Sequence, residues 1–299
     1  MSVTSSNIKP FLKWAGGKSQ LLLEIEKFYP FNNKSITKYA EPFLGGGAVL
    51  FDILGKFDLE EIYIGDINEN LVNTYRAVQK EIDELIDLLS TYQTEYISLE
   101  YEARKDYYLS KRYLFNDIAL GKSRKDDLEK AALMIFLNKT CFNGLYRVNK
   151  QGGYNVPMGK YKNPTICDSE NLQMISQKFR HVKIVGGAYT ESANFIDNST
   201  FVYFDPPYRP LNRTANFTAY TEYVFNDNAQ RELARFVKTM SNRGAKVLVS
   251  NSDPKNVDED DDFFENVYDG LEIKRVMASR MINSKASGRG KISELLIHN

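Results

Sequence analysis

A strand-like run that ends abruptly in an acid and two prolines constrains this chain more than any other stretch. Residues 200–204 are rich in β-branched and aromatic side chains, a composition typical of a buried strand. Asp205, Pro206, Pro207 and Tyr208 follow, and the two prolines forbid both a helix and a longer ladder. An isolated Asp-Pro pair would more simply be a turn. If the strand belongs to an open α/β sheet, however, the acid lies at the edge where ligands bind.

A second strand signal leads into a run of glycines. Residues 39–47 predict a strand and a glycine turn, with a helix after them, and such a turn brings backbone N–H groups against a ligand. The next strand, 61–65, ends in Asp66, about 20 residues beyond the glycines, where Rossmann-like sheets place an acid that binds a ribose. Together these features predict an adenosine-containing cofactor. The spacing Gly-x-Gly-x-x-Gly is absent, so the pattern does not favour NAD.

The segment 13–18, Lys-Trp-Ala-Gly-Gly-Lys, opens the ordered part of the chain. Its tandem glycines let the backbone approach a ligand closely, and a flanking lysine could pair with a carboxylate or a phosphate. The spacing of a P-loop is absent. Taken alone, Trp14 would be a core residue and Lys18 a surface charge.

The alternation of strands and helices is interrupted between residues 76 and 165. Apolar residues at helical spacing predict helices as far as residue 140, and alternation around Gly152 and Gly153 predicts a β-hairpin over 141–157, shaped to enter a DNA groove. Strands are then predicted at 182–185, 246–250, 271–276 and 292–297, with a helix capped by Asn226. We therefore predict an α/β, Rossmann-like mixed-sheet domain over 1–75 and 166–299 and a mostly helical inserted domain over 76–165.

The charge of the chain is balanced, with 39 basic and 39 acidic residues, so there is no overall signal for nucleic-acid binding. Its distribution is uneven, because residues 139–162 and 280–291 contain basic side chains and no acid. The run 258–262 is entirely acidic and predicts a solvated loop that faces away from any polyanion. A chain with zero net charge can therefore still have a basic surface on one side.

Two cysteines, no secretory segment and no long apolar run predict a cytoplasmic protein without disulfides or membrane contact. His181 and His298 have no partners at metal-ligand spacing, so no metal is expected. Carbon methylation of cytosine normally uses a Pro-Cys nucleophile, whereas Cys141 and Cys167 follow Thr140 and Ile166. That chemistry is disfavoured.

An adenosine cofactor, a strand-end acid and an adjacent aromatic ring suit methyl transfer from S-adenosylmethionine to a planar amine. Such a nitrogen is a poor nucleophile because its lone pair is conjugated with the ring. Hydrogen bonds to the Asp205 carboxylate and the Pro206 carbonyl would favour a pyramidal nitrogen, so the contribution of the protein would be orientation and electrostatics. Tyr208 would stack on a base that has been flipped out of its duplex.

The segments 13–18, 41–47 and 205–208, in that order and with the insertion before the third, resemble the Dam-type adenine-N6 DNA methyltransferases of alpha-type motif order, which act on GATC. The likeness covers nearly the whole chain. It implies that the insertion is the target-recognition domain and that the host is a prokaryotic or phage-infected cell. It also implies a set of residues that bind S-adenosylmethionine, namely Trp14, Lys18, Phe43, Gly45, Gly47, Asp66 and Asp205.

The resemblance extends to the predicted hairpin, whose implied DNA-binding residues are Phe142, Asn143, Leu145, Arg147 and Pro157. In members that methylate GATC, the Arg147 position reads the outer guanine, a bidentate contact of about 1–3 kcal/mol of discrimination. The Leu145 and Pro157 positions touch a thymine methyl group. Asn143 lies around the vacated base, and Phe142 replaces a frequent tyrosine that wedges beside the flipped adenine.

The sequence thus predicts a site-specific adenine-N6 methyltransferase of double-stranded DNA, acting on GATC by base flipping and direct transfer. A cognate restriction endonuclease, acting separately, is an expected partner if the enzyme protects DNA. Three alternatives stay open: another DNA site, methylation of RNA or of cytosine N4, and a catalytically silent DNA-binding module. The loop 209–222, with Arg209, Arg213, Phe217 and Tyr220, is expected to close over the substrate.

Overall fold

The computed structural model describes residues 8–210, 225–279 and 291–299. Within them a seven-stranded sheet has the order β3-β2-β1-β4-β5-β7-β6. The strands are β1 Lys38–Glu41, β2 Glu61–Asp66, β3 Val182–Gly186, β4 Thr200–Phe204, β5 Lys246–Ser252, β6 Glu272–Ser279 and β7 Lys291–His298. Strands β1 to β5 are parallel, and β7 runs antiparallel to both β5 and β6. The predicted mixed sheet and its terminal pair of strands are confirmed.

Strand β1 lies at the point where the strand order reverses. It pairs with β2 on one side and with β4 on the other, both in parallel. Loops that leave the carboxyl ends of two such strands run in opposite directions and open a crevice between them, which is where α/β proteins bind ligands. The sheet therefore brings the ends of β1, β2 and β4 to a common edge.

The principal helices are α1 Leu22–Ile25, α2 Ala48–Lys56, α3 Glu69–Lys80, α4 Ile82–Ser98, α5 Tyr101–Ala119, α6 Asp127–Thr140, α7 Ser169–Phe179, α8 Asp227–Asn242 and α9 Phe263–Val267. The predicted cap of α8 is confirmed, since the Asn226 side chain accepts hydrogen bonds from the backbone N–H groups of Asn228 and Ala229. None of the described helices is both long enough and apolar enough to cross a membrane.

The inserted helices α4, α5 and α6 form as predicted. Residues 131–138 of helix α6 are all buried, and the helix packs against α3, α4 and α5. Residues 131–137 are apolar on every side of the helix, a pattern that belongs in the interior of a domain. The predicted boundary at residue 76 lies inside α3, and one apolar core runs from the sheet into the insertion.

The predicted hairpin over 141–157 forms only in part, because this segment contains no regular β-strand. The chain does reverse at Gly152, but only two isolated antiparallel bridges form, Cys141 with Met158 and Val148 with Tyr154. Residues Phe142–Gly144 make a 3-10 turn instead of a strand. Asn143 and Gly144 have φ values of 57° and 64°, a left-handed conformation that interrupts the pleat of a strand. We call residues 141–159 the 141–159 loop.

The acidic run at 258–262 is not simply a solvated loop, as the sequence predicted. Its residues 258–260 are exposed, but Asp261 Oδ2 accepts a hydrogen bond of 2.6 Å from Arg209 Nη1. The same guanidinium pairs with Asp227 through Nε at 2.8 Å. A basic residue that directly follows the Asp-Pro-Pro-Tyr motif therefore has two acidic partners. The expected loop beyond Pro210 and the basic residues Arg280, Lys285 and Arg289 lie outside the described residues.

Candidate active site

Asp205 follows β4 at the carboxyl edge of the sheet, where the sequence predicted it. Its Oδ1 atom lies 2.8 Å from Lys18 Nζ and accepts a hydrogen bond of 2.9 Å from Ser250 Oγ. Burial raises the pKa of Asp205 above its usual value, while Lys18 and Ser250 oppose the rise. About a fifth of the side chain, 22%, stays accessible. The carboxylate is thus held firmly but still reachable from the crevice.

Lys18 is not a surface charge, since only 6% of the residue is exposed. Its ammonium donates a hydrogen bond of 2.6 Å to the Gly16 carbonyl and lies 4.5 Å from the centroid of the Tyr208 ring. A buried cation is tolerated when it is paired and hydrogen-bonded. Lys18 therefore joins the 13–18 segment to Asp205 and to Tyr208.

Tyr208 is fixed at its far end by the antiparallel strand β7. Its hydroxyl donates a hydrogen bond of 2.7 Å to Glu294 Oε2. The half-buried ring is held between this contact and the Lys18 ammonium. Sequence reasoning missed Glu294, because only the pairing of β7 with β5 carries it to the carboxyl edge of β4.

Glu41, the last residue of β1, is a second acid at this edge that sequence reasoning did not single out. It is 2% exposed and accepts a hydrogen bond of 2.7 Å from the Tyr39 hydroxyl. Burial raises the pKa of Glu41 to about 8; the Tyr39 hydrogen bond opposes the rise and the nearby Asp205 charge adds to it. Burial thus favours the neutral form of Glu41, whereas Asp205 makes the direct contact with Lys18.

The glycine turn and Asp66 come together as the sequence suggested. Gly45 N–H donates to Asp66 Oδ2 at 3.0 Å, and Asn68 N–H donates to Oδ1 at 2.9 Å. Gly45 has a φ of 50°, and a Cβ there would lie 2.9 Å from Cδ1 of Trp14. The turn therefore needs glycine both for its left-handed backbone and for the close approach of Trp14. Asp66 is half-buried, and burial raises its pKa despite these hydrogen bonds.

Phe43 and Gly47 complete the turn after β1. Phe43 is half-buried and stacks on Tyr189, with ring centroids 5.3 Å apart. Gly47 has a φ of 68° and precedes the first residue of α2. Ile67, which the sequence did not suggest, follows Asp66 and is 44% exposed. The turn thus has apolar surface beside a half-buried carboxylate.

The predicted DNA-binding residues lie on the 141–159 loop. Phe142, Asn143, Arg147 and Pro157 are exposed, whereas Leu145 is half-buried. Arg147 is held by Asn155: its Nε donates to Asn155 Oδ1 at 2.7 Å and its Nη2 to the Asn155 carbonyl at 3.2 Å. The loop thus presents four of the five side chains to solvent.

The 141–159 loop is attached to the 13–18 segment by the hydrogen bonds of one buried amide and by one pair of stacked aromatic rings. The buried amide of Asn138 accepts from Lys13 N–H at 2.9 Å and donates to the carbonyls of Lys13 at 2.8 Å and Gly144 at 3.1 Å. Trp14 stacks on Tyr146, with ring centroids 5.1 Å apart and planes inclined by 23°. Sequence reasoning missed Asn138 and Tyr146, which the helical and alternating patterns do not distinguish from ordinary core residues.

A polar run at the end of β5 was also missed, although it carries the same signal as Asp205. The strand-like residues 247–249 are followed by Ser250, Asn251 and Ser252, and the last two extend β5 beyond its predicted end at Ser250. All three are buried. Polar residues at the carboxyl end of a parallel strand next to β4 could have been recognised as part of the site.

Comparison with known proteins identifies a family for nearly the whole chain. Residues 14–282 match the family described as D12 class N6 adenine-specific DNA methyltransferase. Type II methyltransferase M.MjaIII of Methanocaldococcus jannaschii is 49% identical over 295 residues, which cover 98% of this chain and 99% of that protein. Type II methyltransferase M1.LlaDCHI of Lactococcus lactis subsp. cremoris is 36% identical, covering 98% and 96%. The DNA adenine methylase of Escherichia coli strain K12 is 32% identical, covering 96% and 94%.

Proposed function

The chain belongs to the D12 class of N6 adenine-specific DNA methyltransferases, and from this premise we propose that the adenine it methylates lies in GATC. It is an adenine-specific DNA methyltransferase, and DNA is its substrate. The observation that carries the proposed specificity is the segment 142–147, Phe-Asn-Gly-Leu-Tyr-Arg, which resembles that of GATC-methylating enzymes and lies on an exposed loop.

Methyltransferases of this family use S-adenosylmethionine, and the described residues fit that cofactor. Asp66 offers carboxylate acceptors suited to ribose hydroxyls, and the exposed Ile67 beside it offers an apolar surface suited to a purine. When bound, the cofactor supplies an electrophilic methyl group attached to a sulfonium. We propose that the residues holding it are Trp14, Lys18, Phe43, Gly45, Gly47, Asp66 and Asp205.

The proposed catalytic residues are Asp205, Pro206, Pro207 and Tyr208. The Asp205 carboxylate and the Pro206 carbonyl would accept the two protons of the adenine amino group, which turns the nitrogen lone pair away from the ring. The fixed negative charge of Asp205 would stabilise the positive charge that develops on N6 during transfer. Lys18 and Ser250 support this role, because both hold Oδ1 in place.

An adenine paired inside a duplex cannot present N6 to this edge of the sheet, so we propose that the base is flipped out. Tyr208 would stack on the extruded adenine. Its ring suits this role because Glu294 anchors the hydroxyl while the Lys18 ammonium lies against the ring. Stacking of a base on an aromatic side chain contributes about 1–3 kcal/mol.

We propose that residues 76–165 form the target-recognition domain and that residues 1–75 and 166–299 form the catalytic domain. In this arrangement Arg147 reads the outer guanine, Leu145 and Pro157 contact a thymine methyl group, and Phe142 and Asn143 fill the space that the flipped adenine leaves. The exposure of four of these five side chains supports the assignment.

Relatives with 49% and 36% identity carry the description Type II methyltransferase. We propose accordingly that the chain protects DNA against a cognate restriction endonuclease that acts as a separate protein. The expected biological readout is that GATC sites in cells expressing the chain resist an endonuclease that cleaves only unmethylated GATC.

The specificity is tested by transfer of a labelled methyl group to two duplexes that differ only in the presence of one GATC. We expect label in the GATC duplex alone, and digestion to nucleosides should yield N6-methyladenine. Transfer confined to a different site would overturn the GATC proposal and leave the family activity intact. N4-methylcytosine, or transfer to RNA alone, would instead support the alternative enzymes, and binding without transfer would support a silent DNA-binding module.

A further inference from the structure

The polar end of β5 is bonded to the loop that carries the proposed catalytic residues. Ser250 and Asn251 are fully buried and Ser252 is nearly so, although polar side chains in a sheet interior require partners. Ser250 bonds to the Asp205 carboxylate, whereas Asn251 and Ser252 bond to the main chain of Arg209. Three consecutive side chains of one strand are thus directed to residues 205–209.

Asn251 sits at the centre of this arrangement. Its Oδ1 accepts from the N–H groups of Arg209 at 3.1 Å and of Ser252 at 2.9 Å. Its Nδ2 donates to Gln230 Oε1 at 3.2 Å. A flipped amide would set its NH2 group against two N–H donors, so the orientation of Asn251 is fixed by its surroundings.

Gln230 extends the chain of hydrogen bonds back to the prolines. It is fully buried at the start of α8, and its Nε2 donates to the Pro207 carbonyl at 2.9 Å. Because Gln230 Oε1 is occupied by Asn251, only the Nε2 group can face the Pro207 carbonyl. The two amides therefore work in series between β5 and the Asp-Pro-Pro-Tyr motif.

Serine hydroxyls complete the restraint on either side of Tyr208. Ser252 Oγ donates to the Arg209 carbonyl at 2.7 Å. Ser250 Oγ uses its single proton on Asp205, so the Tyr203 hydroxyl, 2.9 Å away, must donate to Ser250. The Pro207 carbonyl and both main-chain polar groups of Arg209 are held by buried side chains.

We propose that Gln230 and Asn251 are positioning residues for methyl transfer. Two successive prolines supply no N–H group, so no sheet ladder can hold residues 206–207. The paired amides replace that ladder, and they set where the Pro206 carbonyl and the Tyr208 ring meet the target base. The inference rests on the proposed function, in which those two groups contact adenine.

The kinetic test replaces Gln230→Met and Asn251→Leu, which keep approximate size and remove the hydrogen bonds. A loop displaced by about 1 Å costs up to about 100-fold in rate, so we expect kcat to fall about 10- to 100-fold. The dissociation constant of S-adenosylmethionine, measured by calorimetry, should stay within about threefold, because neither amide bonds to a proposed cofactor residue and Asp205 is still held by Lys18 and Ser250. Thr239→Ala, on the exposed side of the same helix, is the matched control.

Because the two amides bond to each other, the loss of rate in the double variant should be smaller than the product of the two single losses. Multiplication of the two losses would contradict a shared path. If Asn251→Leu does not fold, Asn251→Asp keeps the acceptor for both N–H groups, replaces the donor to Gln230 by a second acceptor and adds a buried negative charge. The freed Gln230 amide then turns towards the carboxylate and away from Pro207, and kcat should again fall. An unchanged kcat in Gln230→Met or in Asn251→Asp overturns the proposal.

A measurement that does not depend on methyl transfer tests this inference independently of the proposed function. Amide hydrogen exchange of a peptide spanning 203–210 should be faster in Gln230→Met than in the wild type or in Thr239→Ala. Unchanged exchange would overturn the positioning role even in an active enzyme. A wild type that transfers no methyl group would overturn the proposed function, whereas faster exchange would still show that Gln230 restrains the loop.

Discussion

Lys18 and Asp205, far apart in the chain, form an ion pair of 2.8 Å at the carboxyl edge of the sheet. The lysine comes from the 13–18 segment and the acid from the Asp-Pro-Pro-Tyr motif. The two most distant motifs of the sequence therefore share one charged contact. Burial raises the pKa of Asp205 and Lys18 opposes the rise, so the lysine favours the charged form of the carboxylate.

Replacement of Lys18 by methionine tests this balance. A nearby opposite charge lowers a carboxyl pKa by about 1–3 units, so Lys18→Met should raise the pKa of Asp205. Activity that needs the carboxylate is lost as the pH falls through that pKa, and the acidic limb of the kcat profile should move up by at least about one unit. Lys27→Met, at an exposed surface pair, is the control. If the acidic limb of the kcat profile is the same in Lys18→Met and in the wild type, Lys18 does not control the pKa of Asp205.

Glu41 predicts a pH dependence of stability with an unusual sign. Its folded pKa of about 8 lies above the ordinary carboxyl value, so the folded protein binds a proton that the unfolded chain releases. Between about pH 4.3 and pH 8 this group makes the free energy of unfolding fall as the pH rises, by at most about 1.4 kcal/mol per unit. Glu41→Gln keeps the acceptor for Tyr39 and should remove that slope. If denaturant titrations across pH 5–8 give the same dependence of unfolding free energy on pH for Glu41→Gln and for the wild type, the raised pKa of Glu41 is contradicted.

Arg147→Ala should erode discrimination at the outer guanine of GATC by about 1–3 kcal/mol, because the variant cannot make the proposed bidentate contact. The affinity for S-adenosylmethionine should not change. Relative kcat/KM on GATC and on duplexes altered at the guanine measures the effect. Lys150→Ala, an exposed basic residue of the same loop, should weaken binding equally on both duplexes. Equal discrimination in Arg147→Ala and the wild type would exclude Arg147 as the reader.

Gly144 joins the 141–159 loop to Lys13. It has a φ of 64°, and a Cβ would lie 2.5 Å from Lys13 Cδ. Gly121 has a similar φ of 67° with no atom within 4 Å of a Cβ, which makes it a matched control. Gly121→Ala should cost about 1–2 kcal/mol of unfolding free energy from backbone strain alone. Gly144→Ala should lower the free energy of unfolding by more than Gly121→Ala does, and it should also weaken DNA binding. If denaturant titrations give the same loss for both variants, the contact with Lys13 does not contribute to stability.

Much of the sheet could be predicted because its signals are local. The run 200–204 has the composition of a buried strand, and the prolines that follow mark its end without reference to the rest of the chain. The same holds for the glycine turn and for Asp66. Asn226 caps α8 with contacts that span only three residues, so its role is equally visible in the sequence.

The remainder depended on contacts between distant residues. Glu294 meets Tyr208 only because β7 inserts between β5 and β6, and no local pattern encodes that order. The expected hairpin failed at Asn143, whose left-handed backbone an alternating pattern does not show. The acidic charges of residues 258–262 are visible in the sequence and predict a solvated loop. The contact of Asp261 with Arg209 joins distant parts of the chain, and no local pattern shows it.

The most direct test of the account is the single-turnover rate of Asp205→Asn on a GATC duplex. The substitution keeps the size of the side chain and removes the charge that pairs with Lys18. We expect the wild type to produce N6-methyladenine and the variant to react at least about 100-fold more slowly, as when a preorganised electrostatic contact is removed. Methylation of adenine by Asp205→Asn at the wild-type rate would contradict the account.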